Sequence, residues 1–241
     1  MKNKIIFLVC VITILACKKS TEKSEVITTE IKDEWSYIFN GKTLDGWHLY
    51  NNPEGPNPWL IEDGALVFTG RESGSLPEYN LVTDTDYTNF KLALEWKISE
   101  VGNSGIMWGV IEHEKYTHPY DTGPEIQVLD NDRHPDALAN PKFHQAGALY
   151  DLVEPSFDVC KPAGEWNLCE IEINHETNQG SVTLNGTQIV EFPLHGEVWN
   201  TLVANSKFKN WAGFGSFKTG KICLQDHGDK VWYRNIKIKE L

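Results

Sequence analysis

Between residues 90 and 98 the chain reads Phe-Lys-Leu-Ala-Leu-Glu-Trp-Lys-Ile, with Phe90, Leu92, Leu94, Trp96 and Ile98 at every second position. A period of two puts those side chains on one face of a β-strand and Lys91, Glu95 and Lys97 on the other. Comparable runs fall at 65–69, 104–111, 125–129, 166–174, 181–184, 187–192, 221–225 and 231–239, and Asn185-Gly186 between two of them is a hairpin signal. Only 197–208 carries a helical period, and no repeat of solenoid or propeller length is present. Many strands without alternating helices predict an all-β fold of two antiparallel sheets. The length of 241 residues favours a jelly-roll sandwich with one short helix over a smaller immunoglobulin-like one.

Composition narrows the class. With 40% hydrophobic and 23% charged residues the chain is globular, and one domain accounts for it. The formal charge of -12 comes with no basic run beyond Lys18-Lys19, which disfavours nonspecific nucleic-acid binding, since phosphate contacts need a basic face. Residues 1–16 open with two lysines and run through a short apolar stretch that is too short to span a bilayer comfortably. The end of that stretch, Ile14-Leu15-Ala16-Cys17, resembles a bacterial lipobox, with an ordinary cleaved signal as the alternative. The expectation is a signal peptide over 1–16, lipidation at Cys17, a polar tether over 17–34 and a folded domain over 35–241. That places the domain in a bacterial cell envelope, held by its lipid at the outer membrane on the periplasmic or surface face. Of the remaining thiols, a Cys160–Cys169 bridge and three free cysteines including Cys223 both fit, and no spacing suits zinc.

Chemistry is expected where a strand shows polar side chains on the face away from the core. In Glu125-Ile-Gln-Val-Leu-Asp130, packing of Ile126 and Val128 between the sheets projects Glu125 and Gln127 together from the other face. Asp130 has core parity, so it lies past the strand end or joins Glu125 through a bulge. A long loop follows, carrying Arg133, His134 and Asp136 ahead of His144, and long loops are disproportionately functional. Arg234 shares the parity of Trp232, Ile236 and Ile238, which points it at the core in need of a carboxylate, with Asp226 and Asp130 as candidates.

Gly102-Asn-Ser-Gly-Ile106, Thr122-Gly-Pro-Glu-Ile-Gln-Val-Leu-Asp-Asn131, Arg133-His-Pro-Asp-Ala137, His144-Gln-Ala-Gly-Ala-Leu-Tyr-Asp151, Ser206-Lys-Phe-Lys209 and Leu224-Gln-Asp-His-Gly228 together resemble the 3-keto-disaccharide hydrolase domain family. The resemblance covers Trp35 to Leu241. It implies a concanavalin-like jelly roll and cleavage of glycosides whose sugar carries a ketone at C3. Such a ketone acidifies the C2 proton, so a base can form an enolate that expels the C1 substituent, and water then adds to the double bond. The reaction needs a base near C2 and positive charge or hydrogen-bond donors at the C3 oxygen. His144 is the first nominee for the base and His227 the second, with Glu125 able to take a proton or bind a divalent cation. Asn103, Gln127, Asp130 and Tyr150 are candidates to hold the sugar, and Lys207 and Lys209 to place a cation at the enolate oxygen. Trp59, Trp108 and Trp211 are candidate stacking platforms. Glu125, Asp130, His144 and His227 offer mixed ligands for a metal whose identity is open, and no cofactor is otherwise implied.

Two other readings fit the same residues. Glu125-x-Gln-x-x-Asp130 is similar to the ExDxxE strand of laminarinase-like retaining glycosidases, in which two carboxylates about 5 Å apart share the work. A sandwich of this kind also serves as a noncatalytic carbohydrate-binding module. All three readings take carbohydrate as the partner, with membrane contact only through the lipid.

Overall fold

The computed structural model describes residues 34–71 and 77–241. The expected signal peptide, Cys17 and the tether up to residue 33 lie outside the described residues. Among those described are strands β1 (Ser36–Tyr37), β2 (Trp47–Leu49), β3 (Leu60–Glu62), β4 (Ala65–Phe68), β5 (Leu81–Thr83), β6 (Phe90–Ile98) and β7 (Asn103–Val110). They continue with β8 (Glu125–Leu129), β9 (Asn167–Asn174), β10 (Gln179–Leu184), β11 (Thr187–Phe192), β12 (Lys221–Leu224) and β13 (Val231–Glu240). One sheet runs β11-β10-β9-β6-β13-β4-β3, with β1 also paired to β13, and the other runs β2-β5-β12-β7-β8. Every pairing is antiparallel. This is the two-sheet sandwich that the patterning predicts.

Two α-helices are described where one was expected, α1 (Pro135–Ala139) and α2 (Glu197–Ala204), besides a single 3-10 turn at Pro119–Asp121. Five residues are too few to show a period, and α1 is set by its start. Pro135 supplies a helical φ in the first turn, and His134 Nδ1 accepts the Asp136 N–H at 3.1 Å.

The core lies between the sheets. The larger sheet contributes Phe90, Leu92, Leu94, Trp96 and Ile98 from β6 and Ile171 and Ile173 from β9, and the smaller contributes Ile106, Ile126, Val128, Ile222 and Leu224. The outer face of the smaller sheet is covered as well. Tyr50, Val82, Met107, Val110 and Cys223 form a second apolar cluster there, beside buried Asn80, Asn103, Gln127 and Gln225. Cys160, Cys169 and Cys223 are free thiols, and burial pushes the first two up to about 12, where they are poor nucleophiles at neutral pH.

Strand β13 corrects the expectation for Arg234. Its register against β6 shifts between Arg234 and Lys237, and Asn235 sits in the left-handed region at φ 53. The extra residue reverses the parity, so Val231 and Tyr233 point inward before it and Ile236 and Ile238 after it. Arg234 therefore points outward, 2.9 Å from Glu95 and 3.9 Å from the centroid of the Trp166 ring. The carboxylates expected to pair with it have other partners: Asp226 takes Arg71 at 2.7 Å and Asp130 takes Arg133 at 3.2 Å. The bulge makes a direct prediction. Asn235→Val, a β-branched residue at positive φ, should lower unfolding stability by about 1–3 kcal/mol in urea titrations. Asn235→Gly should cost no more than about 1 kcal/mol, for the lost side-chain bond to Glu95.

Candidate active site

A cleft of about 430 Å³ opens on the outer face of the smaller sheet. Its floor is polar because neighbouring strands present the same parity there: Asn103 from β7, Glu125 and Gln127 from β8, and Gln225 just past β12. Loops supply the walls, with Tyr120, Asp136, Tyr150, Lys207, Phe208 and Trp211 on them and Arg71, Asp226 and His227 completing the rim.

Glu125 is the chemically distinctive group on the floor. Burial is the largest influence on it and pushes its carboxyl up to about 8; Lys207 pulls it down less strongly and the nearby Asp136 adds to the rise. With its side-chain amide turned to donate, Gln127 reaches Glu125 Oε1 and the Ser104 carbonyl, each at 3.1 Å. Space for the carboxyl comes from Gly105, which faces Gln127 across the β7–β8 ladder. A Cβ at Gly105 would lie 2.1 Å from Glu125 Oε1 and 2.6 Å from its carboxyl carbon.

The wall beside Glu125 is built by a chain of polar contacts. The free edge of β8 is covered by the returning loop: Gly147 N–H donates to Gln127 O at 2.8 Å, Gln127 N–H to Ala148 O at 3.1 Å and Tyr150 N–H to Glu125 O at 3.0 Å. Tyr150 is thereby set next to the floor, and its hydroxyl donates to Asp136 Oδ2 at 2.9 Å. Asp136 Oδ1 meets His144 Nδ1 at 2.8 Å, and His144 Nε2 meets Asp151 Oδ1 at 3.2 Å. Asp151 Oδ2 accepts the Lys207 N–H at 2.8 Å, and Lys207 Nζ lies 4.1 Å from the Tyr150 ring centroid, which closes the circuit. Burial and the neighbouring Asp136 both hold the Tyr150 hydroxyl above its ordinary range, so it stays protonated.

The sequence-nominated residues separate accordingly. Asn103, Glu125, Gln127, Tyr150, Lys207 and His227 come together in the cleft. His144 does not line it: the ring is stacked 4.3 Å behind Tyr150 with both nitrogens engaged by aspartates. Asp130 is 2% exposed and accepts the Val101 and Asp132 N–H groups and Arg133, so it organises the turn after β8 and does not line the cleft. Lys209 lies outside the cleft, in a separate depression beside α2. Trp59 and Trp108 are core residues, whereas Trp211 is half-buried on the wall, 6.0 Å from Tyr120. The proposed metal set of Glu125, Asp130, His144 and His227 is not brought together. Three other donors are: His134, His227 and Asp229 have ligand atoms within 4.8 Å of one another. Asp136, Asp151 and Tyr120 join the site without a sequence signal of their own: Asp136 lies in the long loop after β8, Asp151 ends the His144–Asp151 motif and Tyr120 precedes β8.

A two-sheet sandwich with an aromatic-walled, carboxyl-floored cleft on one outer face suits the carbohydrate-recognising class of proteins. The comparisons agree with that class. Residues 34–239 match the model of the 3-keto-α-glucoside-1,2-lyase-like domain, and the chain belongs to that family. It is 35% identical to the 3-keto-disaccharide hydrolase of Bacteroides thetaiotaomicron over 92% of this chain and 85% of the relative. A crystal structure from Parabacteroides distasonis ATCC 8503, described as a glycosyl hydrolase, shares 33% identity at a TM-score of 0.79, covering 90% of this chain and 98% of that one. A Bacillus subtilis protein with a galectin-like fold, 10% identical at a TM-score of 0.53, covers 86% and 95% and speaks for the fold alone.

The Gly105 cradle can be tested directly. Gly105→Ala should displace the Glu125 carboxyl by about an ångström or more and lower turnover by about 10²-fold, with the far-UV circular dichroism unchanged. Wild-type turnover in the alanine variant would show that the carboxyl position is not critical.

Proposed function

We propose that this enzyme cleaves 3-keto-glycosides, 3-keto-disaccharides in particular, by elimination and hydration, with Glu125 as the base. The observation that carries the assignment is the Glu125 carboxyl on the cleft floor, pushed up to about 8 by burial. Once ionised, such a carboxylate is a stronger base than an exposed one, which suits removal of a proton from carbon next to a ketone. Tyr120 and Trp211 offer apolar faces to a sugar ring, and Asn103 and Gln127 offer amides to its hydroxyls.

The steps balance without a redox partner. Glu125 takes the C2 proton, the C3 oxygen becomes an enolate, and the ammonium of Lys207 offsets its charge. The enolate then re-forms the ketone, a C1–C2 double bond forms, and the C1–O bond breaks. The departing oxygen receives the proton that Glu125 now holds, and water adds across the double bond. The net change is one water consumed, one aglycone alcohol released and one 3-keto sugar formed. His144 supports this from behind, by holding Asp136 and Asp151 and through them Tyr150 and Lys207.

The retaining-glycosidase alternative needs a second free carboxylate beside Glu125. Asp130 is committed to its turn, Asp136 is held by Tyr150 and His144, and Glu78 by Asn80 and His118. The family and the relative's activity make this reading the stronger one.

The test is release of aglycone from a chromogenic glucoside and from its 3-keto analogue. The expected result is turnover of the keto compound alone, rising with pH as Glu125 ionises, with a midpoint near its value of about 8. Glu125→Gln should lower the rate by at least about 10²-fold and remove that pH dependence. Turnover of the unoxidised glucoside would overturn the reading, a rate that falls through the same pH range would make Glu125 an acid, and glycan binding without turnover would leave a recognition module. We further propose that the chain is lipid-anchored at Cys17 in the outer membrane. Radiolabelled fatty acid should be incorporated by the wild-type chain and not by Cys17→Ser, and labelling of both would place the lipid elsewhere.

A further inference from the structure

The turn after β8 and the turn after β12 meet at the cleft. The first brings His134, at the start of α1, and the second brings His227 and Asp229. One donor atom from each lies within 4.8 Å of the others, and the His134 and His227 rings stand nearly perpendicular with centroids 6.1 Å apart. Cis ligands on a first-row ion lie about 3 Å apart when the bonds are about 2.0–2.2 Å, so a shift of an ångström or so in side-chain torsions closes the set.

A second observation comes from Asn103. It is 3% exposed, and its Oδ1 has no hydrogen-bond partner. Its Nδ2 faces His227 Nε2 at 3.4 Å, while its backbone N–H donates to Asp229 Oδ2 at 3.0 Å. Rotating the amide by half a turn lets the orphaned Oδ1 accept from His227 Nε2–H. The lone pair of that imidazole then sits on Nδ1, the atom 4.0 Å from Asp229 Oδ2. A ligating histidine whose second nitrogen donates to an oxygen acceptor is the usual outer-shell arrangement of a metal site.

We propose that His134, His227 and Asp229 bind a divalent transition-metal ion, with Asn103 fixing the His227 tautomer. Two imidazoles and one carboxylate favour ions of the zinc, manganese, iron or cobalt class over calcium or magnesium, which prefer all-oxygen shells. Three protein ligands leave positions open toward the cleft that His227 lines, where a ketone or hydroxyl oxygen of the substrate can coordinate. His134 Nδ1 accepts the Asp136 N–H at 3.1 Å. Coordination through the other nitrogen moves a proton to Nδ1 and releases that N–H, so metal binding loosens the start of α1. The metal's role at the C3 oxygen rests on the 3-keto-glycoside reading, whereas the binding itself does not.

The experiment uses untagged, chelator-stripped protein titrated separately with Zn²⁺, Mn²⁺ and Co²⁺ by calorimetry, without substrate. The expected result is one saturable site per chain for at least one ion, with affinity at least tenfold weaker in His134→Ala and Asp229→Asn and retained in Glu125→Gln. Co²⁺ should give a visible absorption band in wild type that is lost in His227→Ala, and the Asp136 amide should exchange faster when the ion is bound. Absence of saturable binding, or binding unchanged by these substitutions in variants with native circular dichroism, overturns the site. Binding with no turnover of any 3-keto-glycoside keeps the metal site and removes its catalytic role. Full turnover by stripped protein with no binding removes the site and keeps the reaction.

Discussion

Everything at the cleft follows from one strand being buried on both faces. Strand β8 sends Ile126 and Val128 into the space between the sheets, as its alternation requires, and its other face floors a loop-walled cleft in which Gln127 is buried and Glu125 half-buried. A polar side chain on that second face is then withdrawn from bulk water and must find protein partners or bear the desolvation cost. Gln127 satisfies this with its amide bonds, while the carboxyl of Glu125 remains under strain toward its neutral form. The surrounding architecture answers to that carboxyl: Gly105 is bare to make room for it, and the returning loop pairs with its strand edge.

The loop from 130 to 153 is long, and long loops carry an ordering cost that must be met by contacts. Here the contacts are polar and converge on His144. By touching both Asp136 and Asp151, that ring ties the start of the loop to its return, and each aspartate uses its second oxygen to position a group on the cleft wall. A residue can thus be central to a site and face no ligand.

The period of two is enough to read the larger sheet, because its strands β6, β9 and β13 are long and one face of each is apolar. Strands β1, β2, β3 and β5 have two or three residues, fewer than a period needs to declare itself, and they were missed. Arg234 was misplaced because parity counting assumes an unbroken ladder, and only the turned backbone at Asn235 reveals the break. In the site, Glu125 and Gln127 were legible as a pair from alternation. Asp130 and His144 were misjudged for a common reason: each is a polar residue in a suggestive motif whose partners, Val101 and Arg133 in one case and two aspartates in the other, are fixed by loop paths that the sequence does not display. Tyr120 and Trp211 come from segments 91 positions apart and meet only in the folded chain.

The raised carboxyl has a thermodynamic counterpart. An ordinary glutamate releases its proton near 4.5, and Glu125 in the fold holds it to about 8, so between those values the native chain binds a proton that the unfolded chain has lost. Folding in that window is proton uptake, and the stabilisation it brings is complete below about 4.5 and drains away as the pH rises from there to about 8. The fold is therefore least secure where its base is most fully ionised, and a chain freed of this carboxyl would tolerate alkali better at the expense of its chemistry.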